Sequence, residues 1–127
     1  MVTALLDTSV VIANNVPELA GDLAISSVTL AEMHFGVLVA RQEKVRAERL
    51  RRLSVLQRSF DPIPVDEAVA RSYGQLAAAV VRHGRQPRAR VLDLLIAATA
   101  HAHGACLYTR NPDDLRGTEE LVDIVLV

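Results

Sequence analysis

At 127 residues, half of them apolar and only 3% aromatic, the chain is expected to be a single domain, 1–127. Its core must be packed from aliphatic residues and alanine, which suits helices layered on a sheet and disfavours a loop-rich fold. A formal charge of −1 decides nothing about nucleic acid by itself, and a lone cysteine, Cys106, excludes both a disulfide framework and a cysteine-based zinc site.

Residues 2–6 read as a buried strand, and residues 9–14 as a short helix that Asp7 or Thr8 can cap. The piece 14–21, with Pro17, is a turn or a broken helix, and 23–26 is a second short apolar strand. From Ser27 the periodicity becomes helical, with Leu30, Met33, Val37 and Leu38 as an inner stripe and Ser27 or Thr29 as cap. Phe35 and Val39 form a second apolar set on the face that carries Glu32, and a helix apolar on two faces is either a partner interface or a helix sandwiched within its own domain. His34 on the same helix is read as a dipole-complementing or capping residue and not as a ligand.

Residues 44–60 form the next helix, with Val45, Leu50, Leu53, Leu56 and Phe60 facing inward. Arg46, Arg49 and Arg52 recur on its other side, as an RNA-facing stripe or as a solvated face paired with Glu43 and Glu48. Asp61-Pro62 stops this helix, and 63–65 is a short strand or an extended linker. Asp66 and Glu67 open a further helix with Val69, Tyr73, Leu76, Ala77 and Val80 inward, and are read as complements to its dipole. After His83-Gly84 comes a basic loop with Arg82, Arg85, Arg88 and Arg90 around Pro87.

Residues 91–103 form an alanine-rich helix, apolar on almost every side, as a helix pressed against a sheet must be. His101 and His103 near its end are two apart and cannot share a helix face, so they are not a metal pair. Residues 105–109 are a strand, 111–117 a turn with a short helical piece, and 122–127 a last strand. Strands alternating with helices predict right-handed crossovers and a mostly parallel sheet. The longest apolar run, 91–100, is too short for a membrane span and contains Asp93, and the N-terminus lacks the basic region of a signal peptide. A soluble protein of the reducing cytoplasm is expected.

Charge is segregated: no Lys or Arg precedes Arg41, while Asp7, Glu18, Asp22 and Glu32 lie in that opening third. Four acids fall where a parallel sheet would bring them to its carboxyl edge: Asp7 after the first strand, Glu32 in the helix after the second, Asp93 opening the alanine-rich helix, and Asp113 or Asp114 after the strand ending at Thr109. Singly, each is an ordinary cap, turn or surface residue. Together they would repel one another unless a cation joined them. Oxygen ligands alone, with no His or Cys, point to a hard ion, Mg²⁺ or Mn²⁺, and so to metal-assisted phosphodiester hydrolysis.

In four stretches the chain resembles the PIN-domain nucleases and, among them, the VapC-like toxins of type II toxin–antitoxin pairs. These are LLDTSVV (5–11), TLAEMHFGV (29–37), RVLDLLIAATA (90–100) and YTRNPDDL (108–115). The resemblance implies a three-layer α/β fold, a central parallel sheet flanked by helices. It also implies an acidic site at Asp7, Glu32 and Asp93, with Asp114 chosen over Asp113 because the fourth acid follows the asparagine of a T-x-N piece by three. Leu115 stands where the family has an aromatic. Ser9, Thr109 and Asn111 match polar positions that line the site. The implied activity is that of a Mg²⁺-dependent endoribonuclease. The implied partners are an RNA substrate, a VapB-like antitoxin seated in the apolar groove by helix 29–39, and a second copy in a homodimer. Two alternatives compete. One is a phosphatase phosphorylated on Asp7, although Ser9 stands where dehalogenase-like enzymes want a second Asp and the one lysine, Lys44, lies in a helix. The other is a non-catalytic RNA- or protein-binding module.

Overall fold

The computed structural model describes all residues, 1–127. In chain order the elements are β1 (Ala4–Leu6), α1 (Thr8–Val11), β2 (Leu23–Ala24), α2 (Ser27–Leu38), α3 (Glu43–Ser59), α4 (Glu67–Arg82), α5 (Val91–Ala102), β3 (Cys106–Thr109) and β4 (Ile124–Leu126). A 3-10 turn, Pro87–Arg90, leads into α5, and another, Pro112–Leu115, follows β3. The sheet is wholly parallel in the order β2-β1-β3-β4. From β1 the chain crosses first to β2 on one side and later to β3 on the other. The carboxyl ends of β1 and β3 therefore flank the topological switch point, where an open α/β sheet leaves a crevice.

The sheet is covered on both faces, which is why β1 reads as a run of apolar residues without alternation. Successive side chains still point opposite ways. Leu5 packs with Val69, Leu76, Ile96, Ala97 and Leu107 beneath α4 and α5. Leu6 packs with Val10, Ile25, Met33, Leu53 and Leu56 beneath α2 and α3. Ala97, Ala98 and Ala100 of α5 are fully buried, and their small side chains let this helix lie close to its neighbours.

The strands are shorter than the apolar runs that encode them, because pairing ends where the neighbouring strand ends. Ser26 lies outside β2 but still makes one parallel bridge to Ile63, so 63–65 is an extended linker held at a single point. Ser26, one residue ahead of the expected cap, accepts from the Val28 N–H at 3.0 Å. Asp66 caps α4, accepting from the Val69 N–H at 3.0 Å.

Two expected core residues are not in the core: Leu38 is 76% exposed and Leu50 50% exposed. Leu38 is one residue beyond the buried Val37, a turn of roughly 100° around the helix that carries it off the inner arc. In α3 the buried residues are Leu53 and Leu56, in its second half, so the apolar spacing continues at Leu50 past the point where there is anything to cover it. The Arg46, Arg49 and Arg52 stripe is not paired with Glu43 or Glu48. Each guanidinium donates to a backbone carbonyl: Arg46 to Ala40 at 2.8 Å, Arg49 to Gly36 at 2.7 Å and Arg52 to Ile12 at 3.0 Å. These carbonyls belong to the C-terminal ends of α1 and α2, where a cation offsets the dipole and satisfies orphan acceptors. No helix is long and apolar enough to cross a membrane.

Candidate active site

Asp7 leaves the carboxyl end of β1 and is buried. Its N–H donates to the Tyr108 carbonyl at 2.9 Å, extending the β1–β3 ladder by one residue and fixing the carboxylate at the switch point. Asp7 occupies the N-cap position of α1 but does not cap it. Its Oδ2 instead accepts from the Ser9 hydroxyl at 2.6 Å and the Thr109 hydroxyl at 2.9 Å. Those hydroxyls are themselves oriented by the main chain: the Arg110 N–H donates to Ser9 Oγ and the Asn111 N–H to Thr109 Oγ1, both at 3.0 Å. With their lone pairs so engaged, the two hydroxyls turn their protons to Asp7.

Glu32 approaches from α2. Thr8 Oγ1 donates to Glu32 Oε1 at 2.8 Å and lies 2.9 Å from Thr29 Oγ1. Since the Thr8 proton goes to the carboxylate, the fully buried Thr29 donates to Thr8. Thr29 sits three residues before Glu32, on the same helix face, so one helix supplies both the acid and the far end of the relay that holds it.

Asp93 lies in the first turn of α5, half-buried, and Asp114 in the 3-10 turn after β3. The Asp93 carboxyl is raised from 3.8 to about 6, first by burial and then by the charges of Asp7, Asp114 and Glu32, with Arg90 opposing. Three acids distant in the chain thus bear on the Asp93 carboxyl. No three His, Cys, Asp or Glu groups lie close enough to hold an ion directly. Asp114 and Asp113 have different surroundings. Asp114 pairs with Arg90 at 3.2 Å beside the cluster, while Asp113 is 87% exposed and pairs with Arg116 at 2.9 Å. The Asp114 N–H donates to the Asn111 carbonyl at 3.1 Å, so Asn111 contributes its main chain to this turn. Gly117 closes the turn at φ +103°, where a Cβ would meet the Val80 backbone at 3.3 Å.

Three side chains at the site are not marked in the sequence. Thr8 and Thr29 read only as helix caps. Arg90 shows only as one arginine of a basic loop. His101, by contrast, is far from the acids, its Nδ1 within 2.8 Å of Ser72 Oγ between α5 and α4.

Fold and site together define a class: a small three-layer α/β domain with an oxygen-only acidic crevice at the switch point of a parallel sheet. The model of the PIN domain family matches residues 4–120. Ribonuclease VapC4 of Mycobacterium tuberculosis is 35% identical over 116 residues, covering 87% of this chain and 87% of that protein. The crystal structure of VapBC-5, a toxin–antitoxin system of the same organism, superposes with a TM-score of 0.85 at 33% identity, over 100% of this chain and 98% of that one. FitAcB of Neisseria gonorrhoeae superposes with a TM-score of 0.79 at 27% identity, over 96% of each chain. The chain belongs to the PIN-domain family, in its VapC group.

Proposed function

We propose that the chain is a Mg²⁺-dependent endoribonuclease, the toxin of a toxin–antitoxin pair, which hydrolyses RNA phosphodiester bonds. The observation that carries this reading is that Asp7, Glu32 and Asp114, remote in the chain, all bear on the Asp93 carboxyl, which burial first and their charges next push up to about 6. The donor set fits a hard divalent ion, Mg²⁺ or in its place Mn²⁺. It is oxygen alone, and its charges need a counter-cation. Asp7 and Asp93 would hold the ion, with Glu32 and Asp114 holding it directly or through water. Once bound, it would supply a positive charge against the phosphate and acidify a bound water.

The chain's own residues do the positioning. Ser9 and Thr109 both donate to Oδ2 of Asp7 and leave Oδ1 without a side-chain partner. Thr8 does the same for Glu32, whose Oε1 alone is engaged. Arg90 balances part of the charge on Asp114.

The VapBC and FitAB names of the structural relatives support a cognate VapB-like antitoxin as partner. Phe35, Leu38 and Val39 at the end of α2 are 66%, 76% and 48% exposed, an apolar surface suited to an amphipathic segment. A basic side chain carried in by that segment would offset the acidic charge and so compete with the metal. A homodimer and a cytoplasmic setting complete the proposal. Asp93→Asn is expected to abolish cleavage of total RNA in Mg²⁺ while leaving the chain folded. A variant that cuts as fast as the parent would sink the assignment.

A further inference from the structure

The basic loop between α4 and α5 has no part in the site as described, yet it forms one wall of a cavity that opens beside the acids. This cavity, of about 330 Å³, is lined by Gly84, Arg85, Gln86, Arg90, Asp114 and Arg116 among others. Asp114 belongs to both places: its charge acts on Asp93 in the crevice, and its side chain lines the cavity. We propose that this cleft is the subsite for the nucleotide adjacent to the scissile phosphate of a single-stranded RNA, with Arg85 and Arg116 as its phosphate grips. The assignment rests on the ribonuclease reading and names the part of the chain that holds the strand.

Charge selects this cleft over the other arginines. Three guanidiniums face one carboxylate in its wall, whereas the cavity beside Glu32 presents two, Arg49 and Arg52, and Arg52 already uses both nitrogens on the Ile12 carbonyl and Asn14 Oδ1. Arg85 is held in place by a single nitrogen, Nη1, which donates to the Asp113 carbonyl at 3.0 Å and the Arg116 carbonyl at 3.3 Å. Its Nη2 is left to meet a ligand. Arg116 is tied only to the exposed Asp113, a pairing of little worth in water that a phosphate can displace with a shorter, bidentate contact. Arg90 is shared between Asp114 and the cleft, so a cation bound at the acids would free it toward the strand.

The volume lies at the small end of ligand sites, enough for one nucleotide and too little for a duplex. Gln86 offers both a donor and an acceptor to a base edge or a 2′-hydroxyl. No aromatic side chain lines the cavity, so the grip is electrostatic and tolerant of base identity, and it should weaken steeply with salt.

The test is binding of a fluorescein-labelled, mixed-sequence single-stranded RNA 12-mer to the full-length Asp93→Asn chain, followed by anisotropy across a series of NaCl concentrations. Adding Arg85→Gln and Arg116→Gln is expected to raise Kd about tenfold at low salt, and to flatten the dependence of log Kd on log salt by about 0.7 for each phosphate no longer neutralised. In the cleavage-competent chain the same pair should raise KM and leave kcat near the parent value. Arg116→Gln alone, at an exposed position without a folding role, should show part of each effect even if the Arg85 variant folds poorly. Arg58→Gln, an exposed position on α3, controls for net charge and should leave the salt dependence unchanged. An unaltered Kd and slope in the cleft variants, or an equal loss in Arg58→Gln, overturns the assignment. If the parent still cuts RNA in Mg²⁺ while that happens, only the subsite falls; if the parent neither binds nor cuts RNA, the ribonuclease reading falls with it.

Discussion

Replacing Asp93 with Asn should make the metal-free protein more stable while removing its activity. In the folded chain the Asp93 carboxyl titrates at about 6, against 3.8 in the unfolded one, because burial and three neighbouring carboxylates disfavour its charge. Between those two values the folded state holds more protons than the unfolded state, so stability falls as pH rises through the window and remains lowered above it. A displacement of that size amounts to about 3 kcal/mol for a fully shielded group. Asp93 is only half-buried, and solvent screening leaves roughly 1–2 kcal/mol.

Asparagine keeps the shape of the carboxyl and carries no charge at any pH. In EDTA at pH 7.5 the variant should therefore melt about 3–8 °C above the parent for a chain of this length. Near pH 4, where the parent's own carboxyl is largely protonated, the two curves should converge. Mg²⁺ should raise the parent's Tm more than the variant's, since binding to the folded state alone adds to its stability. Thermal denaturation followed by circular dichroism at both pH values supplies the measurement. A variant less stable than the parent at pH 7.5, or a gain that persists undiminished at pH 4, would refute the electrostatic account of the crevice.

The relay from Thr29 through Thr8 to Glu32 predicts that Thr8→Val lowers RNA cleavage by about 10–100-fold, the usual cost of losing an orienting partner. Thr8→Ser should restore most of the rate, and an unimpaired valine variant would show that Glu32 needs no anchor. Leu76, fully buried between α4 and the sheet, should cost about 2–5 kcal/mol as Leu76→Ala in urea denaturation, and a loss below about 1 kcal/mol would place it outside the core.

The order and type of the elements were legible because each carries its own period: apolar triplets for β1 and β4, helical stripes for α4 and α5. The expectation that Asp7, Glu32, Asp93 and Asp114 lie toward one edge of the sheet came from one topological rule applied to their places in the chain, with family likeness choosing Asp114. What the sequence did not carry were facts set by neighbours distant along it. Leu38 and Leu50 obey helical spacing, yet what covers a helix face is decided by where the rest of the domain ends. The arginines of α3 have the spacing of a ligand stripe, and only the folded arrangement shows helix-end carbonyls waiting for them. Thr8 to Glu32 and Arg90 to Asp114 are pairings between separate elements, with no local pattern to announce them.

The central claim is that these acids share a crevice suited to a hard divalent cation. Calorimetric titration of Mn²⁺ into the parent and into Asp7→Asn tests it most directly, since asparagine can still accept from Ser9 and Thr109 and the fold should persist. Saturable uptake by the parent, abolished in the variant, is the predicted result. A parent that takes up no Mn²⁺, or a variant that takes it up equally well, would contradict it.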